Sequence, residues 1–112
     1  TVLRDVAHES PIAKEEIFGP VAPIITFTDH DEVVRQANDT EMGLTGYVLT
    51  RDPAKGWRIS EQIEAGMIGL NRGAVSDTAA PFGGMKQSGL GREGSTEGIY
   101  EFMETQYIAT NW

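Results

Sequence analysis

Cysteine is absent from this 112-residue sequence. That excludes disulfide bonds, thiolate-bound metals and a thiol nucleophile supplied by this chain. Long apolar runs are absent too. Nothing approaches the roughly 18 consecutive apolar residues of a membrane-spanning helix. The first residues lack the basic and apolar regions of a secretory signal. No membrane partner is therefore expected, and the expected location is cytoplasmic. Positive charge is scarce: nine Lys and Arg stand against 17 Asp and Glu, a formal net charge of −8. This argues against a nucleic-acid backbone as partner. Histidine is limited to His8 and His30. Both lie in polar, acidic stretches and read as surface residues rather than metal ligands or general bases, so no metal is expected. There is no internal repeat and no low-complexity tract.

What is present is ordinary for a globular chain, with 39% apolar residues, and the length suits one domain or a piece of one. Residues 1–6 read as a short strand. Residues 21–27 read as a buried strand kinked by Pro23. Asp29 and Glu32 have capping-box spacing ahead of Val33, Val34 and Ala37, which predicts a helix. Tyr47-Val48-Leu49 predicts another strand. Asp52-Pro53 is a helix start, continued by Trp57, Ile59 and Ile63 and stopped at Gly66. Residues 67–71 form a short apolar strand. Residues 71–94 then make a long glycine-punctuated loop, with Val75, Phe82, Met85 and Leu90 as apolar anchors that favour order. A helix over 95–105 and a final strand over 107–112 complete the chain. This alternation predicts an α/β fold, a sheet with parallel pairings and flanking helices.

Two stretches carry the chemistry. Glu15-Glu16-Ile17-Phe18-Gly19-Pro20 joins two carboxylates and an apolar pair to a Gly-Pro break. Pro20 removes a backbone donor and holds Gly19 extended or in a turn. The segment reads as a fixed loop that presents Glu16 and Phe18 in defined directions; a charged surface turn is the plainer alternative. The second stretch runs from Pro81-Phe82-Gly83-Gly84 to Gly89-Leu90-Gly91-Arg92-Glu93-Gly94. The latter hexapeptide matches the dinucleotide pattern G-x-G-x-x-G, but that fingerprint needs a buried strand leading straight into its first glycine. Met85-Lys86-Gln87-Ser88 is not one. The glycines read instead as a tight loop beside other backbone, and Lys86 and Arg92 as solvated or ion-paired.

These two stretches, in this order, resemble the C-terminal part of the aldehyde dehydrogenase superfamily, most of all the succinate-semialdehyde dehydrogenases. Ala37-Asn38-Asp39-Thr40, Gly43-Leu44, Thr50-Arg51-Asp52 and Glu64-Ala65-Gly66 extend the resemblance over nearly the whole chain. It implies that residues 1–106 are part of the catalytic domain and that 107–112 form an oligomerisation strand. It implies NAD or NADP as cofactor. Glu16 would accept hydrogen bonds from the ribose hydroxyls beside the nicotinamide, and Phe18 would pack next to the cofactor. An ionised carboxylate can take two hydroxyl donors at once, which fixes the sugar and hence the ring. For substrate, the resemblance implies an aldehyde, with Phe82 at the mouth of its tunnel on a hinge between Pro81 and two glycines. Ser76 would hold the distal carboxylate, although Asp77 would repel that group if it pointed inward.

No catalytic residue is expected within the chain. The family's cysteine nucleophile, general-base Glu, oxyanion-hole Asn and Rossmann domain would lie upstream, and Thr1 opens the sequence without an initiator Met. The whole protein is expected to be a homo-oligomer, a dimer or tetramer. Two other readings stay open: a stand-alone structural or binding module that keeps the fold without the chemistry, and an independent dinucleotide-binding domain built on Gly89–Gly94.

Overall fold

The computed structural model describes residues 1–112, which divide into two compact units, Thr1–Thr40 and Glu41–Trp112. In the first unit, β1 (Val2–Leu3) pairs in parallel with β2 (Ala22–Pro23). The ladder uses the amides on either side of Pro23: Ala22 N donates to Thr1 O at 2.9 Å and Ile24 N to Leu3 O at 2.7 Å. The missing proline donor therefore costs nothing, but pairing stops after two residues where a longer strand over 21–27 was expected. Between the strands lies α1 (Pro11–Lys14), one turn with Pro at its first position. α2 (His30–Asn38) follows as predicted, with the Asp29 carboxylate accepting from Glu32 N at 2.7 Å. Asp31 and Glu32 in its first turn and Arg35 in its last complement the helix dipole. Val34 is its buried contact.

The second unit is built on a strand–helix–strand crossover. β4 (Thr45–Val48) and β5 (Met67–Leu70) are parallel, with Thr45 opposite Met67 and Val48 opposite Leu70. The connecting helix α3 (Pro53–Ser60) starts where the sequence places it: Asp52 caps Lys55 N at 3.1 Å and Pro53 occupies the first turn. Gly56 sets how closely α3 sits, because a Cβ there would lie 2.7 Å from Leu70 Cδ1 and 2.8 Å from Thr50 Cγ2. A second, antiparallel pair joins β3 (Met42–Gly43) to β6 (Met85–Lys86). The α/β class and the parallel pairing hold, while the strands form three separate two-stranded ladders rather than one continuous sheet.

The C-terminal region departs most from expectation. The helix predicted over 95–105 is the single turn α4 (Glu97–Tyr100). Ile99, Tyr100, Phe102 and Met103 are all exposed, and a short helix gains little stability without a packed face. Residues 107–112, expected as a strand, form no regular element and have no ladder partner in the chain.

The core is thin. Only Val34 and Met67 are buried among the apolar side chains, at 9% and 8% exposure, whereas Leu49, Leu90, Phe102, Tyr107 and Trp112 face solvent. Burial on this scale supplies little of the apolar free energy that offsets chain entropy. The isolated 112-residue polypeptide is therefore expected to bind 8-anilinonaphthalene sulfonate strongly and to melt over a broad range, without a cooperative calorimetric peak. A sharp two-state transition would contradict the thin core.

Candidate functional site

The loop over residues 15–20 is anchored at both ends. At its start, Glu15 N donates to Pro11 O at 3.0 Å and closes α1. At its end, the amino group of Thr1 donates to Pro20 O at 2.6 Å, and Val21 N reaches Gly19 O at 2.8 Å. Between these anchors Glu16 is exposed, and its carboxylate has no hydrogen-bond partner in the chain. Phe18 is 96% exposed. Its ring is thus no part of the core, which was the bland alternative for this residue, and the loop presents both side chains outward.

Behind the loop sits a charged cluster that sequence spacing does not disclose. Lys14, the last residue of α1, is ion-paired with Asp39, which caps the C-terminus of α2. His8 Nε2 lies 2.8 Å from Asp39 Oδ2 and 2.8 Å from Lys14 Nζ. One ring nitrogen can accept from the ammonium or donate to the carboxylate, but not both at once. His8 is only 17% exposed at its side chain, so it is a packed, hydrogen-bonded imidazole rather than the surface residue expected. His8, Glu9 and Asp39 bring ligand-type atoms within 4.8 Å of one another. Lys14 Nζ, 3.8 Å from Glu9 and in contact with the other two, already supplies the positive charge such a cluster attracts. The hydrogen bond from Lys14, then that from His8, holds the Asp39 carboxyl below its ordinary value. His30, by contrast, stays exposed, its ring edge-on to Phe27 at 5.9 Å.

In the second unit the long segment after β5 is ordered by backbone contacts. Asn71, in the left-handed region at φ 52°, extends the β4–β5 ladder with its side chain. It accepts from Thr50 N at 2.9 Å and donates to Thr50 O at 2.9 Å. Phe82 and Glu93 exchange two backbone hydrogen bonds, at 2.8 and 2.7 Å. The hinge expected at Phe82 is therefore a pinned bridge. Arg92, expected to be solvated or ion-paired, instead donates to backbone carbonyls, Gly84 O at 2.9 Å and Gly91 O at 2.6 Å. Lys86 is ion-paired with Glu64 at 2.6 Å, as expected.

Gly89, Gly91 and Gly94 all have positive φ, at 104°, 83° and 67°, which side chains rarely adopt. They turn the chain, and no helix starts at Gly89 to receive a pyrophosphate: α4 begins only at Glu97. Ser76 and Phe82 line one depression of about 370 Å³, together with Asp77, Thr78 and Glu93. Asp77 Oδ1 accepts from Ala79 N at 2.9 Å, so its carboxylate is engaged by the loop's own backbone. Glu16 and Phe18 belong to the first unit and do not line this depression.

The profile of the aldehyde dehydrogenase family matches residues 1–108. This chain belongs to the aldehyde dehydrogenase family. It is 55% identical over 108 residues to succinate-semialdehyde dehydrogenase of Paenarthrobacter nicotinovorans, covering 96% of this chain and 24% of that protein. It is 49% identical over 108 residues to glutarate-semialdehyde dehydrogenase of Pseudomonas aeruginosa, covering 96% of this chain and 22% of that protein. The NAD+ complex structure of aldehyde dehydrogenase from Bacillus cereus superposes with a TM-score of 0.86 at 38% identity, covering 92% of this chain and 21% of that one. The chain thus spans less than a quarter of the curated relatives it matches.

For this aldehyde dehydrogenase segment, the charged cluster makes a pH prediction. Because the folded-state value of Asp39 lies below the ordinary 3.8, the link between α1 and α2 is fully present above that ordinary value. It is lost as pH falls through the lower folded-state value. The carboxyl carbon of Asp39 followed by NMR is expected to titrate below 3.8, and Lys14→Met is expected to return it upward. A midpoint at or above the ordinary value would contradict the pairing.

Proposed function

We propose that this chain is the C-terminal part of an NAD(P)-dependent aldehyde dehydrogenase that oxidises a small carboxylated semialdehyde, succinate semialdehyde first, to the dicarboxylic acid. In that reaction a cysteine elsewhere in the protein would be the nucleophile towards the aldehyde, and NAD(P)+, when bound, would supply the hydride acceptor. This segment's own work is binding and orientation. Glu16 would accept hydrogen bonds from the ribose hydroxyls, and Phe18 would pack beside the cofactor. Phe82 and Ser76 face the substrate, with the Ser76 hydroxyl donating to its distal carboxylate. Residues 107–112 pair with a second subunit.

The observation that carries this reading is the free Glu16 carboxylate on a doubly anchored loop, inside a family match that spans nearly the whole chain. An ionised acceptor presented without a partner is poised for donors that arrive with a ligand. Asp77 shares the depression with Ser76, and its Oδ1 accepts from Ala79 N at 2.9 Å, so the Ser76 hydroxyl is a neutral donor there for a carboxylate. Glutarate semialdehyde is the second substrate candidate, favoured by the Pseudomonas relative. It is one methylene longer, and one methylene in a binding pocket is worth about 1–3 kcal/mol.

The test replaces the matching segment of the Paenarthrobacter enzyme with this chain. The chimera is expected to reduce NAD+ or NADP+ with succinate semialdehyde, and the 112-residue chain alone to give no turnover. Glu16→Gln in the chimera is expected to raise the cofactor KM at least about tenfold, the loss of charged hydrogen bonds. A folded chimera without activity, or an unchanged cofactor KM in Glu16→Gln, would sink the proposal.

A further inference from the structure

We infer that Lys14 and Asp39 are positioning residues for Glu16: their ion pair, with His8 packed against it, locks the start of the 15–20 loop and so sets where the Glu16 carboxylate is held. This rests on the proposed cofactor role of Glu16 and adds to it the device that makes the role possible.

Glu16 follows Lys14 by two residues, and Glu15 between them is extended, at φ −108° and ψ 138°. Two residues of extended chain span at most about 7 Å, so any freedom at Lys14 is passed to Glu16 almost undiminished. α1 cannot supply the rigidity itself, because it is a single four-residue turn with no buried residue and no side-chain cap at Ser10. Lys14 instead reaches out of α1 to Asp39, the C-cap of α2. α2 is nine residues long, capped by Asp29 and seated on buried Val34. It is the longest element of the unit, and the pair ties the loop to it. His8 adds a third point from the chain preceding α1, with Nε2 at 2.8 Å from both partners. Glu9, at 3.8 Å from Lys14 Nζ and 3.9 Å from His8 Nε2, is the only other charged group at the cluster, and it is exposed. Pairing also keeps the Lys14 charge occupied, so that the Glu16 carboxylate stays free.

The chimeric dehydrogenase tests this. Lys14→Met and the isosteric Asp39→Asn are each expected to raise the cofactor KM about fivefold and leave the aldehyde KM unchanged, while Lys14→Arg keeps most of the wild-type value. A purely structural role would lower thermal stability or move both KM values together. In a Glu16→Gln background, Lys14→Met is expected to add nothing, because there is no longer a carboxylate to place. An unchanged cofactor KM in both single variants overturns the inference, as does the same fivefold rise reappearing in the Glu16→Gln background. Should Lys14→Met fail to fold, Asp39→Asn decides, since it keeps the side-chain shape. A normal KM in Glu16→Gln alone would sink the cofactor role itself. A raised KM there with normal Lys14 and Asp39 variants would sink only the clamp.

Discussion

The second unit depends on a place where two stretches of backbone nearly touch. A Cβ on Gly66 would lie 2.0 Å from Gly83 O and 2.9 Å from Gly84 Cα, closer than any side chain can come. Gly66 also donates from its amide to Gly43 O at 3.0 Å, so one residue joins the β3–β6 ladder to the start of β5. Phe82, bonded through its backbone to Glu93, immediately precedes the glycines that pack against Gly66. The depression lined by Ser76 and Phe82 therefore follows from a steric requirement on main chain, with little help from a packed apolar core.

The same economy shapes the first unit. Its ladder is two residues long and its first helix one turn, so order comes from discrete polar contacts: the Thr1 amino group on Pro20 O, and the cluster of His8, Lys14 and Asp39. Such contacts are individually modest in water. They gain effect here by closing a short loop at both ends, where each closure removes conformations the other leaves.

How much of this was legible depended on the range of the signal. α2 and α3 were readable because Asp29 and Asp52 cap within three residues of themselves, and each was found bonded to the amide that its spacing implied. β4 and β5 were readable from their apolar runs on either side of a helix. The shortness of β1 and β2 was not, since parallel pairing is decided by a partner some twenty positions away. Nor was the short β3–β6 ladder, whose residues are partly exposed and carry no period. The outward placement of Glu16 and Phe18 could be read from the Gly-Pro break and the resemblance. The cluster behind them could not, because His8, Lys14 and Asp39 meet only through tertiary structure. Arg92 was misjudged for a related reason. Its five donors are drawn to carbonyl oxygens that only the turn of Gly83–Gly91 brings together.

The exposed ring of Phe18 carries a thermodynamic consequence. Held in water on an anchored loop, it forgoes the roughly 1.5–3 kcal/mol that burying a phenyl side chain releases. Because the loop is already ordered, little of that release is spent on freezing the backbone when a flat surface covers the ring. Phe18 is in effect a small reservoir of contact energy, kept undischarged by the fold and available to whatever molecule lies down upon it.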